Sequence, residues 1–589
     1  MADRPVALAQ FDERPRIAVL PNGELWGMFV SRGAGEQHVA ARRSTDNGNS
    51  WSEAECFLSL PADAGQWGGC EVVVDEEGEV HAFLLNDRHT GVFRDPSGEG
   101  EIKRLPISDR RLDIWHTQTE SGRASWRPPR RIWKGYTGSI NSAIQTRAGR
   151  IILAFAFQTS RVWGNRGEGL DAFWYAGQSS STVVYSDDGG ASWTLSPSAL
   201  KVQTPSIGTY GACEPVIIEK EDGTLWMLMR TQVGRFYESF SADGAHWSYP
   251  RPTPLINSDS PAGLVRLPDG RMVLLWNKCM RFPYAHGGRH VLHGAISADD
   301  GKSWRGHREV ARDPLRAEPP PPSGDHGTAY PYPAVLEDGT VLVTTGQGAG
   351  RVNIVRIDPQ WLCETRAASA FEVVGSSGRG GAEGEANGVS EGGADSPLEE
   401  WSIFGCRGVG IAAHPEEGGR AVLSIARVEA EWPAAAVWNF PLGRRGSLRL
   451  KIRPDADFGG ALMLLTDHFS VPFEPEDALY ALFGVWLKSP RGPDESTGWT
   501  PGGGVQAGAA RNLPSGVLRQ DLAGDGWREL ELRWDCETRS CALSLDGVSV
   551  GSASLLREGD GVCYLRLKSA SNAVDGGFIV ESVEVEVAD

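Results

Sequence analysis

Polar side chains that could do chemistry recur at the start of apolar hairpins along this 589-residue chain. They are Arg16, Glu71, Asn141, Glu214, the run Ser258 to Ser260, and Tyr330 with Tyr332. A carboxylate and a phenol that face one point can act as proton acceptor and nucleophile. Each residue by itself can equally be a surface or hydrogen-bonding group. A shared role therefore requires a fold that brings the hairpin starts together.

Six segments repeat one pattern, in which a glycine-containing turn separates two apolar runs. The turn glycines are Gly23, Gly78, Gly149, Gly223, Gly270 and Gly339. Each segment predicts a β-hairpin, because Asn-Gly and Asp-Gly turns between apolar strands are strong hairpin signals. The glycines lie roughly 50 to 75 residues apart, which leaves room for four short strands per unit. We therefore predict a six-bladed β-propeller, whose innermost strands would converge on a central funnel.

A second pattern, S-x-D-x-G-x-[ST]-W, interleaves with the hairpins. It occurs at residues 44–51, 186–193 and 297–304, with a shortened copy at 241–247 and a decayed copy that ends at 122–126. The aspartate can accept backbone N–H groups of its own turn, and glycine supplies a positive φ. The tryptophan can hold the turn against the neighbouring sheet. This pattern, the Asp box, predicts a structural role and no catalysis.

The composition excludes several other classes of protein. The chain contains 73 Gly, 36 Pro and 21 Trp, which is typical of an all-β protein rich in turns and excludes a helical bundle. A net charge of −18 argues against a nucleic-acid partner. No apolar run is long enough for a transmembrane helix, so we expect no membrane partner. The first residues lack the apolar region of a signal peptide, and we expect a cytoplasmic protein unless a signal has been removed.

The chain divides into three predicted regions. Residues 1–362 form the propeller, and residues 363–397 form a glycine-rich linker that we expect to be flexible. Residues 398–589 contain seven apolar or alternating segments, which predict a β-sandwich of jelly-roll or lectin-like type. Cys536 and Cys541 are the one pair of cysteines close enough in sequence to join across a hairpin.

The Asp boxes and one long motif resemble the sialidase (neuraminidase) superfamily. Residues 213–230, CEPVIIEKEDGTLWMLMR, are similar to the exo-sialidase motif that carries the catalytic glutamate and the second arginine of a triad. The resemblance covers roughly residues 8–360. It implies Glu214 and Arg230 as this pair, Arg16 and Arg289 as the other triad arginines, and Tyr330 as the nucleophile. The C-terminal region resembles concanavalin or laminin-G domains by analogy alone.

The resemblance implies a specific division of labour. Three guanidinium groups would bind the carboxylate of an acidic sugar. A neutral tyrosine suits such a substrate, because a carboxylate nucleophile would be repelled by it. Glu214 would accept the proton of Tyr330. Glu71, Asn141 and Tyr332 are further candidates for substrate binding, and no cofactor is implied.

The general acid is where this chain departs from the family. Sialidases carry an aspartate in the loop after the first hairpin, whereas residues 31–38 here read SRGAGEQH. Glu36 or His38 could protonate the leaving oxygen, and Asp325 is a weaker substitute. Both candidates can equally be solvated loop residues. Arg14 and Arg32 are expected to be ordinary surface arginines.

Two other groups of residues have open roles. Residues 160–180 form an insertion in which Trp163, Asp171, Phe173, Trp174 and Tyr175 could form a wall for a sugar face or pack the blade. His286, Arg289, His290 and His293 cluster in sequence. Residues three apart on a strand point to opposite faces, so we expect no metal there.

Three functions remain open at this point. The leading one is a retaining exo-glycosidase, sialidase-like, that hydrolyses a terminal sialic acid or related ulosonic acid from a glycan. The second is a hydrolase or lyase for oligosaccharides that contain uronic acids. The third is a non-catalytic glycan-binding propeller, against which the presence of both Glu214 and Tyr330 argues.

Overall fold

The computed structural model shows a nearly all-β chain. The described residues are 2–32, 36–61, 65–87, 111–120, 122–123, 125–160, 177–203, 211–280, 288–316, 326–371, 400–403, 407–429, 434–471, 477–488, 514–522, 524, 526–570, 574 and 577–588. The chain divides into two compact units, of which the first runs to Trp361 and the second begins at Leu362. Two short segments between residues 305 and 319 group with the second unit. No helix in the described ranges is long and apolar enough to span a membrane.

The first unit is built from short antiparallel strands. They are, in chain order, β1 (Val6–Phe11), β2 (Arg16–Val19), β3 (Leu25–Arg32), β4 (Gln37–Ser44), β5 (Glu55–Leu60), β6 (Gln66–Val74), β7 (Val80–Asp87), β8 (Leu112–Glu120), β9 (Ser125–Trp126), β10 (Arg130–Trp133), β11 (Ser142–Gln145), β12 (Ile151–Ser160), β13 (Gly177–Ser186), β14 (Thr194–Leu195), β15 (Cys213–Glu219), β16 (Leu225–Arg230), β17 (Arg235–Ser241), β18 (Arg251–Ile256), β19 (Gly263–Arg266), β20 (Met272–Trp276), β21 (Val291–Ser297), β22 (Arg305–Arg312), β23 (Tyr332–Val335), β24 (Val341–Thr345) and β25 (Val352–Ile357). A 3₁₀ helix, Pro359–Cys363, follows them.

These strands form six sheets along the chain. Five have the orders β2-β3-β4-β5, β6-β7-β8-β10, β11-β12-β13-β14, β15-β16-β17-β18 and β19-β20-β21-β22, and β9 pairs with β8. The sixth has the order β23-β24-β25-β1, so the first strand of the chain completes the last sheet. The first strands touch one another in the order β2, β6, β11, β15, β19, β23 and back to β2. This closed series of contacts brings the starts of six distant hairpins to one place.

The structure confirms all six predicted hairpins, and they share one turn. In each, the backbone N–H of the residue directly after the first strand donates to the carbonyl four residues later, as Leu20 does to Glu24 and Lys220 does to Thr224, at 2.9 and 2.8 Å. The turn glycine has a positive φ, +80° at Gly23 and +84° at Gly223. Only glycine adopts this conformation without strain, which explains its recurrence.

The Asp boxes connect the third and fourth strands of their sheets. In the box of β13 and β14, Asp188 Oδ1 accepts the Ser192 N–H at 2.7 Å and the Ser186 hydroxyl at 2.7 Å. Its tryptophan, Trp193, packs edge-on against Phe83 of the preceding sheet at 5.3 Å between ring centres. Trp51 also meets Phe11 edge-on, at 6.1 Å between ring centres, and Trp304 meets Trp226 with the two rings tilted by 31°. The boxes therefore join neighbouring sheets, as the sequence predicts.

Replacing Asp188 with alanine is expected to lower the melting temperature by about 2–4 °C, because the hydrogen bonds of the turn are lost. The hydrogen bonds from Ser192 hold the pKa of Asp188 at about 2, below its usual value of 3.8. This stabilisation is present above pH 4 and is lost as the pH falls towards 2. Thermal unfolding measures the melting temperatures of the unmodified protein and of Asp188→Ala at pH 7 and pH 3. The difference between them should be smaller at pH 3. Glu53→Ala, at an exposed position, is the control.

The second unit contains two larger sheets. Its strands are β26 (Arg366–Ala370), β27 (Trp401–Ser402), β28 (Val409–Ala413), β29 (Ala421–Ile425), β30 (Ala435–Gly443), β31 (Arg445–Pro454), β32 (Ala461–Thr466), β33 (Phe483–Lys488), β34 (Leu518–Asp521), β35 (Arg528–Asp535), β36 (Ser540–Leu545), β37 (Val548–Ser554), β38 (Val562–Ser569) and β39 (Phe578–Ala588), with a one-turn helix, α1 (Asp477–Tyr480). One sheet has the order β28-β29-β39-β31-β35-β36-β37, with β26 on β39, and the other has the order β27-β30-β38-β32-β33-β34. A single apolar core draws side chains from both sheets, among them Leu450 and Val583 from one and Trp438 and Leu565 from the other.

The structure corrects three details of the second unit. It has more strands than the seven predicted, because short strands such as β27 and β34 carry little apolar pattern. Arg366–Ala370, inside the range predicted as linker, pairs with β39. The rest of that linker, 372–397, lies outside the described residues. Cys536 and Cys541 are free thiols, because Cys541 stands opposite Trp534 in the ladder and Cys536 lies beyond the strand end.

Candidate active site

Five predicted site residues, each from a different sheet, lie on or beside the innermost strands. Arg16 is the first residue of β2, Glu214 the second of β15 and Tyr332 the first of β23. Glu71 lies within β6, and Asn141 directly precedes β11. All five are buried, with 5 to 8% of their surface exposed. The site therefore consists of polar side chains at the ends of innermost strands.

Tyr330 and Glu214 form a hydrogen-bonded pair that could transfer a proton. The Tyr330 hydroxyl donates to Glu214 Oε1 at 2.6 Å, although the two residues are 116 positions apart. Both have a positive φ, +63° at Tyr330 and +44° at Glu214. This conformation costs a non-glycine residue about 1–3 kcal/mol, and such strain clusters at functional sites. At Glu214 it coincides with a bulge between Cys213 and Val216.

Arg230 connects this pair to a second carboxylate. It is the last residue of β16 and pairs with Cys213 of β15. The β15–β16 hairpin therefore places it next to Glu214. Its Nη1 donates to the Tyr330 hydroxyl at 3.1 Å and to Glu214 Oε2. Its Nε donates to Asp259 Oδ1 at 2.7 Å. Asp259 lies within the run Ser258 to Ser260, which the sequence marks at a hairpin start, but no role was predicted for it.

Arg289 reaches the same place from another sheet. Its guanidinium carbon lies 5.7 Å from the centre of the Tyr330 ring. Its Nη1 donates to Gln347 Oε1 and its Nη2 to the Asp259 carbonyl, each at 2.7 Å. Gln347 is a second positioning residue that the sequence did not reveal. The structure thus brings Arg230 and Arg289 to the nucleophile candidate.

Gly327 allows the backbone beside Arg289 to approach closely. The Thr328 N–H donates to the Arg289 carbonyl at 2.7 Å, and a Cβ on Gly327 would overlap that carbonyl oxygen. Gly327→Ala is therefore expected to displace Arg289 and raise KM for an acidic substrate about tenfold, the loss of one charge-assisted contact. Gly339→Ala is the matched control, since its φ is +84° against +99° and nothing lies near its Cβ. Steady-state kinetics of both variants measure this effect. Equal KM values for Gly327→Ala and Gly339→Ala would contradict the role of Gly327.

Arg16 takes part in a second set of contacts. Its Nε donates to Glu71 Oε2 at 3.0 Å, and its guanidinium lies over the Tyr332 ring. The Tyr332 hydroxyl donates to Asn141 Oδ1 at 3.1 Å. Burial raises the pKa of Glu71, and the charge of Arg16 opposes this rise. Burial also raises the pKa of Tyr332, so this phenol stays protonated at neutral pH.

A cavity of about 420 Å³ adjoins this second set. Arg16, Glu71, Asn141 and Tyr332 line it at the end that carries the site. Its other lining residues are mixed, with apolar ones such as Val216 and charged ones such as Arg147, Glu219 and Arg266. The site therefore opens onto the space enclosed by the ring of strands.

The candidates for the general acid lie apart from these contacts. Arg16 pairs with Met28, and β3 continues four residues further, to its pairing of Arg32 with Gln37. The described ends of β3 and β4, Arg32 and Gln37, therefore lie further along the sheet than Arg16. Glu36 has 83% of its side chain exposed and lies 3.5 Å from His38 Nε2. In the described contacts, neither residue touches Tyr330.

Other sequence candidates lie outside the described residues. These are Asp325, His286 and the insertion residues Trp163, Asp171, Phe173, Trp174 and Tyr175, and the Arg32 side chain is not described either. His293 Nδ1 accepts the Lys278 N–H at 3.1 Å, which gives this ring a structural role.

One group of metal-type ligands occurs in the described residues, and it belongs to the second unit. His414, Glu417 and Glu581 place ligand atoms within 4.8 Å of one another. His414 Nδ1 accepts the Glu416 and Glu417 N–H groups, which leaves its proton on Nε2, where a metal would have to bind. Arg420 and Lys451 already neutralise Glu581. The group therefore does not fit a metal ion.

Comparisons with known proteins agree with the sequence patterns. Residues 28–343 match the family described as BNR repeat-like domain. This match confirms the resemblance to the sialidase superfamily, and it does not extend to the C-terminal region. No curated protein matches the chain.

Solved structures resemble the chain at low identity. A protein of unknown function from Dyadobacter fermentans is 18% identical, with a TM-score of 0.42, over 60% of this chain and 96% of its own. The Hadza microbial sialidase Hz136 is 18% identical, with a TM-score of 0.42, over 59% and 66%. Trypanosoma rangeli sialidase is 14% identical, with a TM-score of 0.40, over 97% and 91%.

Proposed function

Because the chain belongs to the BNR repeat-like domain family, we propose that it is a retaining exo-glycosidase that removes a terminal acidic sugar from a glycan. The sugar would be a sialic acid or a related ulosonic acid. The observation that carries this proposal is the 2.6 Å hydrogen bond from Tyr330 to Glu214, with Arg230 on both groups. A binding protein would not need a phenol and a carboxylate aligned for proton transfer.

Each step has a residue of the right chemistry. Glu214 takes the Tyr330 proton as the phenolic oxygen attacks the anomeric carbon. Arg230 stays bound to the phenolic oxygen and stabilises negative charge that develops on it. Arg16, Arg230 and Arg289 bind the substrate carboxylate. Glu36 or His38 protonates the leaving oxygen and later activates the water that releases the sugar.

The same proposal includes the architecture. Six sheets whose first strands contact one another in a closed series support a six-bladed propeller over residues 1–362. Two sheets that share one apolar core support a β-sandwich of lectin-like type over residues 398–589. In this arrangement the site would lie in the funnel of the propeller. The cytoplasmic location expected from the N-terminus remains part of the proposal.

Turnover of chromogenic or fluorogenic glycosides tests the proposal. The protein should release 4-methylumbelliferone from an α-sialoside and leave the matching β-galactoside intact. The first product should keep the anomeric configuration of the substrate when followed by NMR. Turnover of a uronide without turnover of sialosides would support the uronic-acid alternative instead. Glycan binding without turnover of either class would support a non-catalytic lectin.

A further inference from the structure

Arg14 lies beside the nucleophile candidate, although its sequence context suggests a surface residue. Its guanidinium carbon is 5.4 Å from the centre of the Tyr330 ring. Arg289 stands at a similar distance, 5.7 Å, from the same ring. Arg14 precedes β2 by two residues, and its carbonyl accepts a hydrogen bond from Arg16. Its position is therefore tied to the site through the backbone.

Arg14 differs from Arg16 and Arg230 because its Nη1 has no hydrogen-bond acceptor among the described residues. Its Nη1 is buried, and among the described residues no hydrogen-bond acceptor reaches it. Arg16 and Arg230, by contrast, donate to the carboxylates of Glu71 and Asp259. A buried charged donor without a partner costs more than an unpaired neutral one. An unpaired Arg14 Nη1 beside the site is explained if a bound ligand supplies its acceptor.

The charges of the site point to the nature of that ligand. Glu71 neutralises Arg16, and Glu214 with Asp259 surround Arg230. Arg14 forms no ion pair within the described part of the chain. It is thus a positive charge beside the Tyr330 ring that no described carboxylate balances. A substrate with an oxyanion on its anomeric carbon would place that group between Arg14 and the other arginines.

We propose that Arg14 binds the substrate carboxylate directly, as a fourth guanidinium of the site. Arg16 keeps its contacts with Glu71 and Tyr332 and remains one of the three other arginines assigned to the carboxylate. This inference rests on the proposed function, since it takes an acidic sugar as the ligand. It gives Arg14 a role in selecting acidic sugars over neutral ones.

Calorimetric binding of two probes to the full chain tests the inference. The probes are N-acetylneuraminic acid and its methyl ester, which differ in the charge of the carboxyl group. Arg14→Gln should weaken binding of the acid about 10- to 100-fold, the loss of a charged hydrogen bond. It should leave binding of the ester within about twofold. Arg14→Lys, which keeps the charge but loses the planar fork, should fall between.

Arg251→Gln is the matched control, because Arg251 lies on the surface with 67% of its side chain exposed. Unfolding temperatures establish that each variant is folded, and Arg14→Lys provides the same readout if Arg14→Gln does not fold. A wild-type preference for the acid that survives in both Arg14 variants would overturn the role of Arg14 alone. A wild-type protein that binds neither probe and cleaves no acidic glycoside would overturn the proposed function, and this inference with it.

Discussion

Tyr330→Phe is expected to lower kcat on an acidic glycoside by about 10³-fold or more, because the only atom removed is the proposed nucleophile. The ring would remain beside Arg14 and Arg289. Binding of the acidic sugar should therefore change little. Turnover and calorimetric binding, measured on the same preparation, separate the two effects.

The control for this variant is Tyr249→Phe, which removes a hydroxyl from a side chain that is 83% exposed. Its kcat should equal that of the unmodified protein. A Tyr330→Phe protein that keeps more than about one tenth of the activity would contradict nucleophilic catalysis by this phenol. Glu214→Gln should lower kcat as well, since an amide cannot accept the phenolic proton.

Arg230→Ala is expected to destabilise the protein by about 3–5 kcal/mol and to abolish turnover. Its guanidinium joins two buried carboxylates, Glu214 and Asp259, and removal would leave both without their cation. The Tyr330 hydroxyl would also lose its second partner. Denaturant unfolding and activity assays measure the two consequences.

The matched control is Arg251→Ala, which breaks an ion pair with Glu238 at the surface. Exposed pairs contribute less than about 1 kcal/mol, so its unfolding midpoint should barely move. Equal destabilisation by the two variants would show that the buried carboxylates near Arg230 do not depend on it.

Much of the first unit was predictable because its determinants are local. A turn glycine between two apolar runs specifies each hairpin within about fifteen residues. The Asp box closes its own hydrogen bonds within eight residues, as the contacts of Asp188 with Ser186 and Ser192 illustrate. By the same logic Arg230 was placed correctly beside Glu214, since a single hairpin separates them.

Residues outside strong patterns were harder to foresee. Asp259 and Gln347 lie in connections, and their value comes from contacts with Arg230 and Arg289, which are 29 and 58 positions away in sequence. Arg14 resembled any exposed arginine, because burial of its Nη1 depends on parts of the chain that are distant in sequence. The first strand, β1, carries no sign that it completes a sheet with β25.

The sequence by itself determined the nearly all-β class, the repeated hairpins, the Asp boxes and the residue types of the site. These depend on backbone preferences and hydrogen bonds between near neighbours in the chain, which short motifs encode. Only the tertiary structure decided that the Tyr330 hydroxyl meets Glu214, that Asp259 holds Arg230, and that Glu36 and His38 remain apart from both. The physical reason is that these distances depend on closure of the series of first strands, to which all six sheets contribute.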